Sequence, residues 1–280
     1  RKVPAPPSAP GVVVVGFGRV GGAICLGLKA ARWPVSTLPR SGDSVRRAAA
    51  ARITLADHDD LREARLCILA VPDAAVHVAA ELVEEDLGPQ TALVHCSGAL
   101  PLTVFQGLKT KREFGSFHPL AAISDAKDPL AAHTVALAST SRELQAVLVK
   151  LAQALALTPL EVPETGRAAY HAGAVLAAGL TVSLLDAAVA AFQEAGIQRE
   201  AALQALLPLA RSALHGAAAR GLERGLTGPV VRGDVSVVQA HLESLPAELG
   251  SLYRLLSRRA LRLTPALPPE TRLALERLLA

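Results

Sequence analysis

The sequence predicts an α/β chain in which a doubly wound parallel sheet is followed by a second, all-α domain. Three observations carry that expectation. Short apolar runs alternate with helical stretches as far as residue 162, the pattern of strands joined by crossover helices. From Pro163 onward the strand signals stop and only helical patterns remain. The first strand also opens directly onto a glycine-spaced turn and a small-residue helix, Val12-Val13-Val14-Val15-Gly16-Phe17-Gly18-Arg19-Val20-Gly21.

Taken in order, residues 1–10 form a proline-rich leader. Strands are expected at 12–15, 34–38, 52–55, 66–71, 91–95, 113–117 and 133–138, with a short last one at 159–162. Helices are clearest between them at 19–31, 73–86 and 141–156. The second half reads as helices at 165–195, 198–221, 235–244 and 246–263, with a short one at 269–279. The expected organisation is therefore leader 1–10, sheet domain 11–162 and helical domain 163–280.

The glycine turn points to a ligand. Four β-branched residues ahead of G-x-G-x-x-G read as a buried parallel strand entering a phosphate-binding turn. Gly16 permits the tight turn, Gly18 lets backbone approach a pyrophosphate, and Gly21 lets the helix sit close to the strand. The helix N-terminus adds unpaired N–H groups and partial positive charge. Phe17, Arg19 and Val20 complete the turn, which makes the sheet domain Rossmann-like and the expected ligand a nicotinamide dinucleotide. A glycine turn that serves only the fold is the alternative.

The second strand, Val35-Ser36-Thr37-Leu38, ends at Pro39-Arg40-Ser41-Gly42, with no carboxylate before Asp43. A site for NAD wants an acidic residue there, on the ribose 2′-hydroxyl. Arg40 beside Ser41 suits a 2′-phosphate, the guanidinium gripping its oxygens and the hydroxyl adding a donor. NADP is the expected cofactor, with Arg46 and Arg47 deepening the positive field. Arg40 as a solvated loop residue is the competing reading.

Composition bounds the rest. At 280 residues and 51% hydrophobic, the chain can bury a core large enough for two domains. The net charge is only +4, the basic residues are scattered, and Arg254, Arg258 and Arg262 lie on one solvated helix face. No arginine–aromatic interleaving supports nucleic-acid binding. Cys25, Cys67 and Cys96 lack metal or redox spacing and fit a reducing cytosol. The leader has no apolar stretch and no methionine occurs, even at the start, so a trimmed, cytoplasmic protein is expected. Ala168 to Phe192 approaches the length of a membrane span. Its interruptions by Tyr170, His171, Thr181, Ser183 and Asp186 favour a buried helix with no membrane role. Gly173, Ala174, Ala177, Ala178 and Gly179 would also permit close helix contacts at a subunit interface.

Ligands in an open α/β sheet sit outside the carboxyl ends of the strands, which makes strand ends a shortlist. Val71-Pro72 is a rigid apolar corner suited to a nicotinamide or ribose, and Asp73 reads as a helix cap. In His95-Cys96-Ser97-Gly98, Ser97 is a candidate hydrogen-bond donor to cofactor or substrate, or else a turn residue. Nothing local argues for a depressed Cys96 pKa. His118, before Pro119, suits a loop lining a site and is a candidate proton donor. Asp57-His58-Asp59-Asp60 reads as a helix N-terminus and not as a metal cluster, so no metal is expected. Histidine is the side-chain type suited to proton transfer near neutrality, so His171 is either a proton donor or a packing histidine. In the loop Leu226 to Asp234, Thr227 and Arg232 are candidates for holding a carboxylate, and Asp234 for an N-cap. Arg232 as a structural loop arginine carries equal weight.

Several motifs together resemble a bacterial family of two-domain proteins, Rossmann-like at the N-terminus with a helical C-terminal domain of unknown function. They are Gly16 to Gly21, Ala70-Val71-Pro72-Asp73, Val94 to Leu100, Gly115-Ser116-Phe117-His118-Pro119-Leu120, Tyr170-His171-Ala172-Gly173-Ala174-Val175, and Leu226 to Asp234. That family is similar in architecture to pyrroline-5-carboxylate reductase and the 6-phosphogluconate dehydrogenase superfamily. The resemblance implies an NADP-linked oxidoreductase with a cleft between domains and a homodimer through the helical half; the substrate expected for it here is a small, anionic carbonyl or imine. It also implies an Ala-Ser-Asn where this chain has Ala177-Ala178-Gly179, so the proton would come from His171, His118 or water. A protein that binds NADP as a sensor or scaffold without turnover is the alternative.

Overall fold

The computed structural model describes residues 10–280, so the leader expected at 1–10 lies outside the described residues apart from Pro10. Among the described residues, eight strands form one sheet: β1 (Val12–Val15), β2 (Val35–Leu38), β3 (Thr54–Leu55), β4 (Leu66–Leu69), β5 (Ala92–His95), β6 (Phe114–Leu120), β7 (Thr134–Ser139) and β8 (Thr158–Glu161). Their order is β3-β2-β1-β4-β5-β6-β7-β8. Every neighbouring pair is parallel except β6 and β7, which run antiparallel with Gly115 opposite Ser139 and Leu120 opposite Thr134. The sheet is thus mostly parallel, as its strand–helix alternation indicates, with one antiparallel step. Residues 121–133 contain no helix to carry the chain across the sheet, so it returns beside itself.

Helices α1 (Arg19–Ala30), α2 (Gly42–Ala50), α3 (His58–Glu63), α4 (Val76–Val83) and α5 (Arg142–Ala154) cover the sheet. Alternating strand residues feed two cores. Val12, Val14, Ile68 and Val94 pack with Ile24 and Leu28 of α1 and Leu144, Leu148 and Leu151 of α5. Val13, Val15, Cys67, Leu69 and Leu93 pack with Val76, Ala80 and Val83 of α4 and with Phe105. The four valines of β1 are buried on both faces, which is why their pattern is a continuous apolar run.

Local chemistry sets the helix starts. Ser41 and Ser44 form a reciprocal capping box at α2, and Asp57 and Asp60 do the same at α3. The Asp57-His58-Asp59-Asp60 run is thus a helix start, as its sequence indicates. The helix expected over 73–86 begins instead as a 3-10 turn, Asp73–Ala75, before α4. Asp73 makes no side-chain cap bond there, which corrects its reading as a cap.

The remaining helices are α6 (Arg167–Ala177), α7 (Gly179–Glu194), α8 (Arg199–Arg220), α9 (Leu222–Gly225), α10 (Pro229–Arg232), α11 (Val235–Ser244), α12 (Ala247–Arg262) and α13 (Pro269–Leu278). The chain divides into two compact units, the first ending at Leu176 and the second running from Ala177 to Ala280. The second has its own core, with Val230, Val238, Leu261, Leu275 and Leu279 in one cluster and Val189, Ala202 and Leu206 in another.

Two expectations for 165–195 are corrected. The helix is broken at Ala178, whose φ of −112° and ψ of −86° lie outside the helical region. Nor is the segment buried. Glu164–Glu194 is long and apolar enough to cross a membrane by length and composition, yet only 6% of its most apolar stretch is covered. Apolar composition shows that a surface avoids water, not which surface covers it, and Leu176, Leu180 and Val182 stand exposed.

Candidate functional site

The glycine turn behaves as its spacing requires. Gly16 has φ +97°, and a Cβ there would lie 2.6 Å from the Ala70 carbonyl oxygen. A Cβ on Gly21 would collide with the Gly16 carbonyl, so α1 can leave β1 only with glycine at that position. Around Gly18 nothing lies within 4 Å. No side chain caps α1 and its first turn holds no acidic residue. Exposed Gly18 backbone beside an uncapped helix start fits a diphosphate. Gly22, which the motif does not single out, lets the 121–133 loop approach, since a Cβ would meet the Ala126 Cβ at 2.6 Å.

The neighbours of the turn divide between structural and accessible roles. Phe17 is buried and its carbonyl accepts a 3.2 Å bond from Arg47, so its side chain serves the core. Arg47 also pairs with Asp43 at 3.0 Å. Val20 packs against the core, while Arg19 is exposed. The Ser41 hydroxyl accepts from the Ser44 N–H at 3.2 Å as the cap of α2. Arg40 projects exposed at the tip of β2. Val71 is half-buried and Pro72 exposed after β4. A cavity of about 710 Å³ opens beside the turn, with Arg19, Arg47 and Lys127 on its wall.

A second cluster forms after β5 and along β6, where His118 lies within the strand, paired opposite Ala136, and not in the loop its position before Pro119 suggests. Arg167, at the start of α6, is 2% exposed and donates to the Ser116 hydroxyl of β6 at 2.9 Å and to the Ser97 carbonyl after β5 at 2.9 Å. Glu164 lies 3.5 Å from the same guanidinium, whose Nε is buried without a partner. Tyr170 and His171 follow three and four residues along α6 and so share its face with Arg167. Tyr170 Oη lies 2.8 Å from His118 Nδ1, the two rings edge to face. The His118 and His171 ring centres are 5.9 Å apart. Gly98 makes the grouping possible: a Cβ there would sit 2.6 Å from His171 Nδ1 and 2.7 Å from His118 Cε1. His95 lies fully buried at the end of β5, and neither ring nitrogen makes a hydrogen bond of normal geometry.

Burial, more than any neighbouring charge, sets the charge states. Burial, then the charges of Arg167 and His118, pushes the His95 pKa down to about 3, with the Ser97 backbone opposing. Burial, then His171 and Arg167, pushes His118 down to about 4, with Asp73 opposing. Both imidazoles are therefore neutral at pH 7. Burial raises the Tyr170 phenol, against the pull of Arg167. Burial pushes Cys96 up to about 12, in keeping with its exclusion as a nucleophile.

The structure brings His118, His171 and Ser97 together in the first unit. The Ser97 hydroxyl accepts from the Ala99 and Leu100 N–H groups at 3.1 and 3.0 Å, a turn role that leaves its own proton free to donate. Thr227 and Arg232 belong to the second unit. Thr227 is exposed, and Arg232 donates to the Asp234 carboxylate at 2.8 Å. Asp234 makes no cap bond to α11, which corrects that expectation: its carboxylate is taken by Arg232. Sequence reasoning missed Arg167. An arginine three residues after a glutamate at a helix start looks solvated, and its partners are 51 and 70 residues away in the chain.

Residues 6–122 match a Rossmann-like domain family, and residues 133–260 match a domain of unknown function, DUF2520. The chain thus pairs a Rossmann-like domain with a DUF2520 domain, as its motifs indicate. A Bacteroides fragilis protein described provisionally as an NADP oxidoreductase superposes with a TM-score of 0.73 at 21% identity, over 91% of this chain and 98% of that one. A 1-pyrroline-5-carboxylate reductase from Streptococcus pyogenes gives 0.64 at 16%, over 91% and 99%. An imine reductase variant from Myxococcus stipitatus, in complex with NAD+, gives 0.57 at 15%, over 98% and 100%. No curated protein matches the sequence. At these identities the likeness is one of fold.

Proposed function

We propose that the chain is an NADPH-dependent reductase of a small, anionic carbonyl or imine compound. One observation carries the reading. An open glycine position, Gly18, lies in the turn after β1, and a cluster of buried polar groups gathers after β5 and along β6, so both lie toward the carboxyl ends of parallel strands in one sheet. Bound there, a reduced nicotinamide dinucleotide supplies hydride. Gly16 to Gly21 and the first turn of α1 hold the diphosphate, Arg40 takes the 2′-phosphate, and Val71-Pro72 offers an apolar edge. Ser97 donates a hydrogen bond, the His118, Tyr170 and His171 group handles the proton, and Thr227 with Arg232 holds an anionic substrate. The solved reductases of similar fold, some named for NADP or NAD, support this choice of chemistry.

The reading extends to assembly. The helical domain begins after residue 162, and a second copy covers the apolar face of 168–192, where Gly173, Ala174 and Ala177 let helices approach. The protein is a cytoplasmic homodimer with no membrane role. Light scattering of the purified chain, with and without detergent, tests that assignment.

Calorimetric titration with NADPH and NADH is the first test of function. NADPH is expected to bind at least tenfold more tightly, and Arg40→Ala to remove that preference. NADPH oxidation across a panel of keto and imino acids is the second. Binding with no turnover on any of them replaces the enzyme with a nucleotide sensor, the reading favoured by the missing side chain at Gly179 and by Arg232's bond to Asp234. Loss of affinity for both nucleotides removes the whole proposal.

A further inference from the structure

The grouping around Gly98 contains more than the reductase reading uses, because its members differ in which protons they can give up. His118 and His95 are neutral at pH 7, and the remaining N–H of a neutral imidazole is far harder to ionise than a phenol. Tyr170 keeps its proton throughout the neutral range. Its oxygen is also the polar atom in contact with His118, at 2.8 Å, on a partly exposed side chain.

We propose that Tyr170 delivers the proton that accompanies reduction, and that His118 is its positioning partner, donating its Nδ1–H to Oη. The inference rests on the reductase reading and names the acid within it. The tautomer follows from the role: with Nδ1–H pointing at Oη, the phenol's own hydrogen is free to point elsewhere. The step balances with a reduced nicotinamide as the reductant. The carbonyl or imine carbon gains hydride with its electron pair. The double bond's π pair goes to the oxygen or nitrogen, which takes the Oη proton. The phenolate left behind accepts from His118 Nδ1–H, faces the Arg167 charge, and is reprotonated by water. His171 and Glu164 on the α6 side, His95 on β5 and Asp73 after β4 are the other titratable groups around the cluster.

The chain has only two tyrosines, Tyr170 and Tyr253, which permits a direct test. In a Tyr253→Phe background, phenolate absorbance against pH reports Tyr170 alone, with neither reductant nor substrate present. His118→Phe removes the donor to Oη and is expected to raise the Tyr170 pKa by about one unit. His118→Asn places an amide N–H near the former Nδ1 and is expected to restore it. A fall or no change on His118→Phe means that Tyr170 is the donor in that bond, and overturns the proposal. In turnover, Tyr170→Phe is expected to lower kcat by about 10²-fold or more with reductant affinity unchanged. Retention within threefold also overturns it. Failure of the wild-type chain to turn over counts against the reductase reading instead, and the titration separates the two failures.

Discussion

Acidification should unfold the sheet domain through its histidines before its carboxylates. A histidine with an ordinary pKa near 6.5 binds a proton readily in the unfolded chain at pH 5. In the folded chain His95 and His118 stay neutral there, held down to about 3 and about 4 by burial and by neighbouring charge. The unfolded state therefore binds more protons below pH 6.5, and stability falls as pH falls, until the folded pKa values are reached. At pH 5 each histidine lies about 1.5 pH units below its unfolded pKa and still above its folded one, which is worth about 2 kcal/mol. The pair should remove about 4 kcal/mol between pH 8 and pH 5, a large share of the ~5–15 kcal/mol that domains possess. Carboxylates such as Glu113 and Asp128 have lowered pKa values, so their contribution is lost only below the ordinary carboxylate range. Trp33 is the single tryptophan and packs against the first unit's core, so its fluorescence in urea follows that unit alone. His95→Leu with His118→Asn should reduce the pH 8 to pH 5 difference below about 1 kcal/mol. Equal stability of the wild-type chain at the two pH values, or an undiminished loss in the double variant, refutes the reasoning.

Gly98→Ala inserts a methyl into the space shared by His118 and His171; it should cost about 1–3 kcal/mol and shift both imidazole resonances in NMR spectra. Unperturbed resonances would show that the two rings do not close on Gly98. Gly21→Ala should fail to fold or lose several degrees of Tm, because the methyl collides with the Gly16 carbonyl. Gly18→Ala, with nothing within 4 Å, should melt like the wild type and bind NADPH at least tenfold more weakly in calorimetry. Cys25, Cys67 and Cys96 are all pushed up to about 12 by burial, so no thiol should react with a colorimetric reagent at pH 8 until urea is added, when three should.

Whatever depends on local spacing was legible in the sequence. The glycine turn, the Asp57 helix start and the eight strands follow from residues within a few positions of one another, and each stands close to where its pattern put it, whereas the Ser41 cap of α2 was not read from the sequence. The helical segments beyond Pro163 were also legible, though the break at Ala178 was not. Its backbone departs from helix within an apolar run that carries no proline. The antiparallel β6–β7 step escaped because strand patterns carry no direction. Only the lack of a helix in 121–133 hints at it. The site was half legible. His118, Ser97 and His171 stand out as polar residues at strand ends or on an apolar helix. Arg167 does not, since its solvation depends on Ser97 and Ser116, far away in the chain. Exposure of the 168–192 face lay beyond sequence reasoning for a different reason, as apolar composition is the same whether the cover comes from this chain or another.

Arg167 is the residue that gives the cluster its character. A guanidinium at 2% exposure loses its hydration, and the structure returns only part of it through Ser116, the Ser97 carbonyl and a distant Glu164 oxygen. An apolar residue would pack the same position without leaving Nε unpartnered, so stability alone does not account for arginine there. Its charge has two effects on the groups around it, of opposite sign in acidity. Burial does most to keep His95 and His118 neutral, and the Arg167 charge adds to it; the same charge opposes the rise that burial imposes on the Tyr170 phenol. The buried cation thereby adds to what burial has already done to the two imidazoles, and makes a phenolate easier to form than burial alone would allow. Lysine would supply the charge but not the fork that reaches Ser97 and Ser116 together, and without that fork α6 would carry Tyr170 and His171 without fixing them over the ends of β5 and β6.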